Sequence, residues 1–410
     1  MNRFLLASVL ALFALDLAAC SDPPDPTTTD GGLADGAPSD ARADVDAGCP
    51  SPAVVLANVN VANLRLAGND LVFVDRNVGD AFPGGGKSRA IRKIGLNGTG
   101  DVVLYAAPTN KQLADVEVAG TTVYFLESER LPNTLAATRV YAMPVAGGSP
   151  TLIALHDDPD MGGAGQGDQL DAIVGLDANA IYAVRGLQTA ATLWRIPLAG
   201  GPETRLSTSV SSLETTSLTS RPSLVDGTFY FLTSKFTAPT NYDAIGKLAA
   251  NGSNSLPSQV GTSSCRGNLV AYQAGLFCTG ALDVGPNGAN QQLSRFDLTG
   301  ANHKKIFEQG DSSGNALLIG PSDGTFIYTM QQRGTSSGGN LWKVPVAGGP
   351  ATVVACDRRK VVGRGTFETG GSNGAFYGAL EMVMSPTDLA WIETRKEGST
   401  ETTSIFRVAR

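Results

Sequence analysis

The sequence predicts an all-β propeller of seven four-stranded blades, and three features carry that reading. A two-part strand motif recurs seven times. Taking one reference residue per copy (Lys93, Ala142, Arg195, Lys247, Arg295, Lys343 and Arg407), the copies follow at intervals of 49, 53, 52, 48, 48 and 64 residues, close to the period of propeller blades. The seventh copy runs out at Arg410, one strand short, so a segment from elsewhere must complete it.

The chain opens on a segment of another kind. Phe4 to Ala19 is its longest apolar stretch; it follows Arg3 and ends in small residues, the arrangement of a signal peptide. Leu17-Ala18-Ala19-Cys20 resembles the lipobox of bacterial lipoproteins, with Asp16 as a departure. That resemblance implies an acylated Cys20 at the mature N-terminus and a lipid bilayer as partner. With Ser21 rather than Asp next, it also implies a place in the cell envelope at the outer membrane. Ordinary cleavage near Ala19, with an incidental cysteine, is the alternative. Residues 21–48 hold seven Asp, Pro23, Pro24, Pro26 and a Thr27-Thr28-Thr29 run, but only Leu33 and Val45 as large apolar residues. Such a segment buries too little to fold and reads as a tether. The expected organisation is therefore a signal peptide over 1–19, a lipidated cysteine and tether over 20–48, and one propeller domain over 49–410.

Composition fits a turn-rich globular body: 49 Gly, 22 Pro and 42% apolar residues, with no apolar run of the roughly 18 residues a spanning helix needs. The net charge of −7 lies almost entirely in the tether, whose seven Asp face one Arg. From Cys49 onward, 29 basic residues meet 30 acidic ones, a neutral body without the electrostatic footprint of a nucleic-acid binder. His156 and His303, the only histidines, lie far apart, which argues against a His-rich metal site.

The first half of the motif is a turn and an apolar strand, clearest in Gly68-Asn69-Asp70-Leu71-Val72-Phe73-Val74-Asp75 and Gly120-Thr121-Thr122-Val123-Tyr124-Phe125-Leu126-Glu127. The second half is strand, glycine turn, strand, clearest at Trp194 to Pro202 and Trp342 to Pro350. Gly-Gly and Asn-Gly pairs supply the positive φ of tight hairpins. Strands apolar on both faces suit blades packed between two neighbours. The basic residue at six of the seven reference positions is expected to lay its aliphatic stem along a blade, with Asp75, Glu127 and Glu393 as acidic partners. Ala53-Val54-Val55-Leu56-Ala57 resembles the outer strands Thr151–Ala154 and Ala351–Ala355, and is predicted to close the seventh blade. A six-bladed ring with an appendage is the competing arrangement.

The pattern resembles the YWTD repeats of low-density-lipoprotein-receptor-like propellers and their bacterial relatives. Val72-Phe73-Val74-Asp75 and Tyr124-Phe125-Leu126-Glu127 stand in the motif's place without its Trp-Thr, and Gly147-Gly148, Gly200-Gly201 and Gly348-Gly349 match the turn of the bacterial type. The resemblance covers residues 51–410 and implies architecture, while its six blades differ from the seven copies here. One such scaffold hosts many functions.

Candidate sites follow from the loops. The second-to-third strand connections and the links between blades share one face. The long ones there (Arg76 to Ala90, Ser128 to Thr138, Thr279 to Gln291 and Asp357 to Gly374) make it the expected surface for a protein or glycan partner. No cofactor is expected. Calcium is the one metal that Asp157, Asp158, Asp160 and Asp168 would suit, and their spacing matches no known calcium loop. Gly84-Gly85-Gly86-Lys87-Ser88 lacks the spacing of a phosphate loop. Of the four cysteines left after Cys20, Cys265 and Cys278 flank one hairpin and are expected to pair, which leaves Cys49 for Cys356. The leading function is a membrane-anchored binding module, and whether it has any enzymatic activity stays open. A calcium-dependent hydrolase or lactonase and a structural envelope protein are the alternatives.

Overall fold

The computed structural model divides the chain into two compact units, Met1–Val45 and Asp46–Arg410. It describes residues 49–76, 89–130, 135–156, 170–185, 192–207, 222–237, 240–252, 258–262, 269–280, 284–285, 288–289, 291–309, 316–332, 339–358, 381–397 and 400–410. Cys20 and the tether therefore lie outside the described residues.

The second unit is a propeller of seven four-stranded antiparallel sheets. Blade 1 runs from its first strand Val61–Ala67 to its outermost strand Val102–Ala106, blade 2 from Lys111–Ala119 to Thr151–His156, and blade 3 from Ala172–Leu176 to Thr204–Ser207. Blade 4 runs from Ser223–Val225 to Ser258–Thr262, blade 5 from Leu269–Tyr272 to Lys304–Gln309, and blade 6 from Ala316–Ser322 to Thr352–Arg358. Blade 7 begins at Met382–Met384, continues through Asp388–Glu397 and Thr400–Ala409, and takes its outermost strand, Ala53–Val59, from the other end of the chain. The predicted closing strand is thus present, two residues longer than expected, and the six-bladed arrangement is excluded. Each blade's first strand neighbours the next around the ring, and that of blade 7 returns to that of blade 1.

The sequence period maps onto one rung of every blade. The reference residues pair with Val72, Tyr124, Tyr182, Tyr230, Phe277, Tyr328 and Ala390 respectively, all on the second strand. Next to that rung every outermost strand carries one extra residue, a β-bulge at Leu104, Ile153, Leu206, Val260, Ile306, Val354 and, on the N-terminal strand, Val55. All seven are Leu, Ile or Val. A bulge adds twist and re-aims a side chain, and Val55, Leu206, Ile306 and Val354 are buried. Ala53–Val59 thus repeats the geometry of the other six outer strands.

Packing follows the junctions rather than a single centre. Seven apolar clusters are present among the described residues, and each straddles one pair of adjacent blades. Between blades 6 and 7, Tyr328, Met330 and Leu341 meet Trp391, Leu389 and Met382; between blades 7 and 1, Ile392 and Ile405 meet Phe73 and Ile94. Each fully buried large apolar side chain contributes about 1.5–3 kcal/mol, so two blade faces left without neighbours would forfeit a large share of the stability. Polar ties cross the same junctions. Arg89 donates to the carbonyl of Leu113 at 2.8 Å, the Leu170 amide donates to Thr138 Oγ1 at 3.0 Å, and buried His156 donates through Nδ1 to Glu203 at 2.5 Å.

Two expectations need correcting. Asp75, Glu127 and Glu393 do not pair with the reference residues of their blades. Each lies three residues beyond the rung, so strand alternation puts it on the opposite face of the blade. Asp75 pairs with Arg92, Glu127 with Lys111 at 3.1 Å and with the Tyr105 hydroxyl, and Glu393 accepts from Trp391 Nε1 at 2.7 Å. The reference residues turn instead to the first hairpin of their own blade. Lys93 meets Asp70 at 3.3 Å, Arg407 meets Asp388 at 3.7 Å, Arg295 donates to the Ala274 carbonyl, and Lys343 sits 4.3 Å from the centre of the Phe326 ring. In the second correction, Ser128 to Thr138 is mostly strand: Ser128 pairs with Thr138 and their hydroxyls lie 3.1 Å apart, which leaves only 131–134 as connection.

Closure is reinforced beyond the ladder. The Val61 amide donates to Thr403 Oγ1 at 2.6 Å, and that hydroxyl donates to the Val59 carbonyl at 2.9 Å. Just ahead of the closing strand, Cys49 forms a disulfide with Cys356 on the outermost strand of blade 6, 307 residues away. A crosslink over so long a loop restricts the unfolded chain strongly. Replacing both residues (Cys49→Ser with Cys356→Ser) should lower unfolding stability by about 3–5 kcal/mol in denaturant titrations and make 53–59 the earliest site of proteolytic cutting. An unchanged midpoint with unchanged cutting would show that the ladder alone holds the ring.

Candidate functional site

The axis of the ring is built by irregular inner strands. The first strands of blades 1, 2, 3 and 6 each carry one extra residue, between Ala62 and Arg65, Leu113 and Asp115, Ile173 and Gly175, and Ile319 and Ser322. In blade 1 the bulge holds Asn63 at a φ of 55°, a conformation Asn tolerates better than most residues, and its amide donates to the Ala114 carbonyl of blade 2 at 3.1 Å.

Beyond the bulge, Arg65 becomes the hub of a buried ion cluster. Its Nε lies 2.8 Å from Glu117, its Nη1 3.0 Å from Glu381, and its Nη2 3.4 Å from Asp115, while Nη1 also donates to the Leu64 carbonyl at 2.8 Å. Asp115 accepts from its neighbour Val116 at 2.8 Å and from the Ile173 amide of blade 3 at 2.9 Å. One guanidinium thus ties together blades 7, 1, 2 and 3. Burial works against its charge, but the fields of Glu117, Asp115 and Glu381 outweigh that and raise its pKa above the ordinary arginine value. Formally, three carboxylates face one cation.

Beside this cluster lies a cavity of about 460 Å³, lined by all the first strands except that of blade 1. Val174 to Leu176, Pro222 to Asp226 and Leu269 to Gln273 form most of its wall, with Gly320, Pro321, Met382 and Glu117 completing it. Two glycines let neighbouring strands pack closely in its wall: a Cβ on Gly175 would stand 3.0 Å from Leu224, and one on Gly320 would stand 3.0 Å from the Tyr328 carbonyl and 3.2 Å from Met382 Sδ. The Tyr272 hydroxyl donates to the Gly320 carbonyl at 2.8 Å and joins blades 5 and 6 along the wall. Asp226, at a φ of 47°, sits at the hairpin end of blade 4; with burial, its charge raises the pKa of the Tyr230 hydroxyl. On blade 3, Tyr182 donates to Asp177 at 2.6 Å, and burial with that acceptor pushes its hydroxyl up to about 12.

Most lining residues are apolar or small, yet more polar than apolar surface faces the cavity; its acids are Glu117 and Asp226, and Glu117 is engaged by Arg65. Among the described residues no three His, Cys, Asp or Glu come together as a metal site. Asp157, Asp158, Asp160 and Asp168 lie outside the described residues, as do 77–88 and 359–380 of the expected partner face. Cys278 is disulfide-bonded, and its expected partner Cys265 is outside the described residues. Sequence reasoning missed Arg65, Asp115, Glu117 and Glu381. The available signals were Asn63 and Gly320-Pro321 interrupting apolar strands, and the acids alternating with Val116 in Asp115-Val116-Glu117.

No protein-family model matches the chain, and no curated protein matches it. Solved structures do. The β-propeller domain of the Trilobed protease from Pyrococcus furiosus, described as having an open velcro topology, aligns over 87% of this chain and 94% of its own, with a TM-score of 0.51 and 11% identity. Puromycin hydrolase aligns over 85% of this chain with a TM-score of 0.54 and 12% identity, and its S511A mutant complexed with PGG over 83% with a TM-score of 0.52 and 13% identity. This chain spans about half of each hydrolase chain, 51%. At such identities the likeness shows the fold: a seven-bladed propeller related in architecture to those domains.

The axial cluster has to be tested on this chain itself. Arg65→Met should cost about 3–5 kcal/mol of stability at neutral pH, because it strands buried acids without their cation. A variant as stable as the parent in thermal unfolding at pH 7 would remove the cluster from the account of ring stability.

Proposed function

We propose that this chain is a lipid-anchored, extracytoplasmic binding module whose ligand enters the axial cavity. The observation that carries the proposal is the cavity itself: about 460 Å³, walled by six blades, with Gly175 and Gly320 packed closely in the wall. Concave pockets of this size that carry directed polar groups are where small ligands and protruding side chains bind. The anchoring half of the proposal rests on Leu17-Ala18-Ala19-Cys20 and the Asp-rich segment behind it. An oxidising compartment outside the cytoplasm agrees with the Cys49–Cys356 disulfide. The YWTD-like and lipoprotein resemblances belong to the same proposal.

A protein that binds rather than reacts is favoured over a calcium-dependent hydrolase by the chemistry of the wall. Catalysis of that kind needs carboxylates converging on a metal or a water, whereas Glu117 is held by Arg65 and Asp226 stands apart on blade 4. The likeness to puromycin hydrolase covers only half of that protein and transfers no activity.

Two measurements test the two halves. Cys20→Ala should move the protein from the membrane to the soluble fraction of the producing cell; retention in the membrane would end the anchoring reading. Ser223→Trp, which fills the cavity, should lose a species that the wild-type protein retains from solubilised envelope, while Thr325→Trp on a blade 6 hairpin should keep it. Identical retention by all three proteins would end the axial reading.

A further inference from the structure

The outer rim of the propeller is not uniform around the ring. The large apolar side chains that are strongly exposed among the described residues are Val54, Val102, Val103, Leu152 and Leu155. All five lie on the outermost strands of three successive blades, 7, 1 and 2. The alignment of rungs allows the blades to be compared position by position. One position before the conserved bulge, the outer strands of blades 7, 1 and 2 carry Val54, Val103 and Leu152, exposed at 55%, 53% and 51%. The equivalent residues of blades 3, 4 and 5 are Arg205, Gln259 and Lys305, and blade 6 carries Val353, half-buried rather than exposed. None of the three strands Ala53–Val59, Val102–Ala106 and Thr151–His156 contains Lys, Arg, Asp or Glu. Edge strands are ordinarily protected by charged side chains; these three adjacent strands lack them, as does Ser258–Thr262 of blade 4, but only on blades 7, 1 and 2 are large apolar side chains strongly exposed among the described residues.

We infer that the rim of blades 7, 1 and 2 rests on the surface of the bilayer that holds Cys20, an inference that builds on the anchoring proposed above. Where the chain leaves the ring supports this occupant. The closing strand Ala53–Val59 is itself part of the apolar side, and the 32 residues 21–52 separate it from the anchor. So short a stretch of sequence between anchor and ring raises the effective concentration of the rim at the lipid. A weak contact from a few valines and leucines then suffices. A partner strand would cover one edge, whereas three adjacent edges offer a broad surface. The contact is shallow, because the unpaired backbone groups of these edges would be stranded in hydrocarbon but stay hydrated among headgroups.

The test uses the acylated full-length protein on phosphatidylcholine vesicles, with Cys20→Ala as the unanchored reference. Flotation reads the anchor, and amide hydrogen exchange reads the rim. Exchange at 102–106 and 151–155 should slow at least several-fold on vesicles. The triple variant Val54→Gln, Val103→Gln and Leu152→Gln should float equally and unfold at the same temperature while losing the slowing; blade 4 already carries Gln at this position. Flotation without slowing, or slowing retained by the triple variant, overturns the inference and leaves the anchor standing. Slowing that appears without vesicles and grows with protein concentration identifies a second copy as the occupant and overturns it too. Failure of the wild-type protein to float overturns the anchor, and this inference with it.

Discussion

The pairing of Ala53–Val59 with Thr400–Ala409 is the interaction on which the rest of this fold depends. Blades that are apolar on both faces cannot stop: every sheet needs a neighbour on each side, and only a closed ring provides that for all seven. The distribution of the core into seven clusters, one per junction, is the direct expression of this constraint. Opening any junction leaves two apolar faces in water. Because blade 7 draws strands from both ends of the chain, no blade ring exists until chain synthesis and long-range pairing are complete. Contacts of such sequence separation are slow to form.

The repeat was legible because its chemistry is local. Hairpins need Gly, Asn or Asp at fixed places, and the residues between them must be apolar, so the period and even the common rung could be read directly. The closing strand was legible for the same reason: Val54-Val55-Leu56 has the composition of an outer strand, and an unfinished seventh copy demanded one. The failure over Asp75, Glu127 and Glu393 came from counting along the strand without counting its faces. Three residues from the rung is an odd number, and an odd number crosses the sheet.

The axis was illegible for a different reason. Its residues lie on short inner strands that the repeat does not constrain, and bulges in four of them shift the alternation by one residue. Arg65 reads in sequence as a surface basic residue in an apolar strand, yet three acids from positions 50, 52 and 316 residues away converge on it. No local pattern announces such a convergence.

The disulfide between Cys49 and Cys356 has a mechanical consequence. It lies ahead of the closing strand, so a pull on the chain upstream of Cys49 reaches the body through a covalent bond to blade 6 before it reaches the hydrogen bonds of the seam. Without that bond, the same force would draw Ala53–Val59 away from its ladder one rung at a time, the mode in which a strand yields most readily. With it, tension is spread over a blade whose four strands are all drawn from one continuous stretch of chain, and the ring bears load at the point where its topology alone would make it weakest.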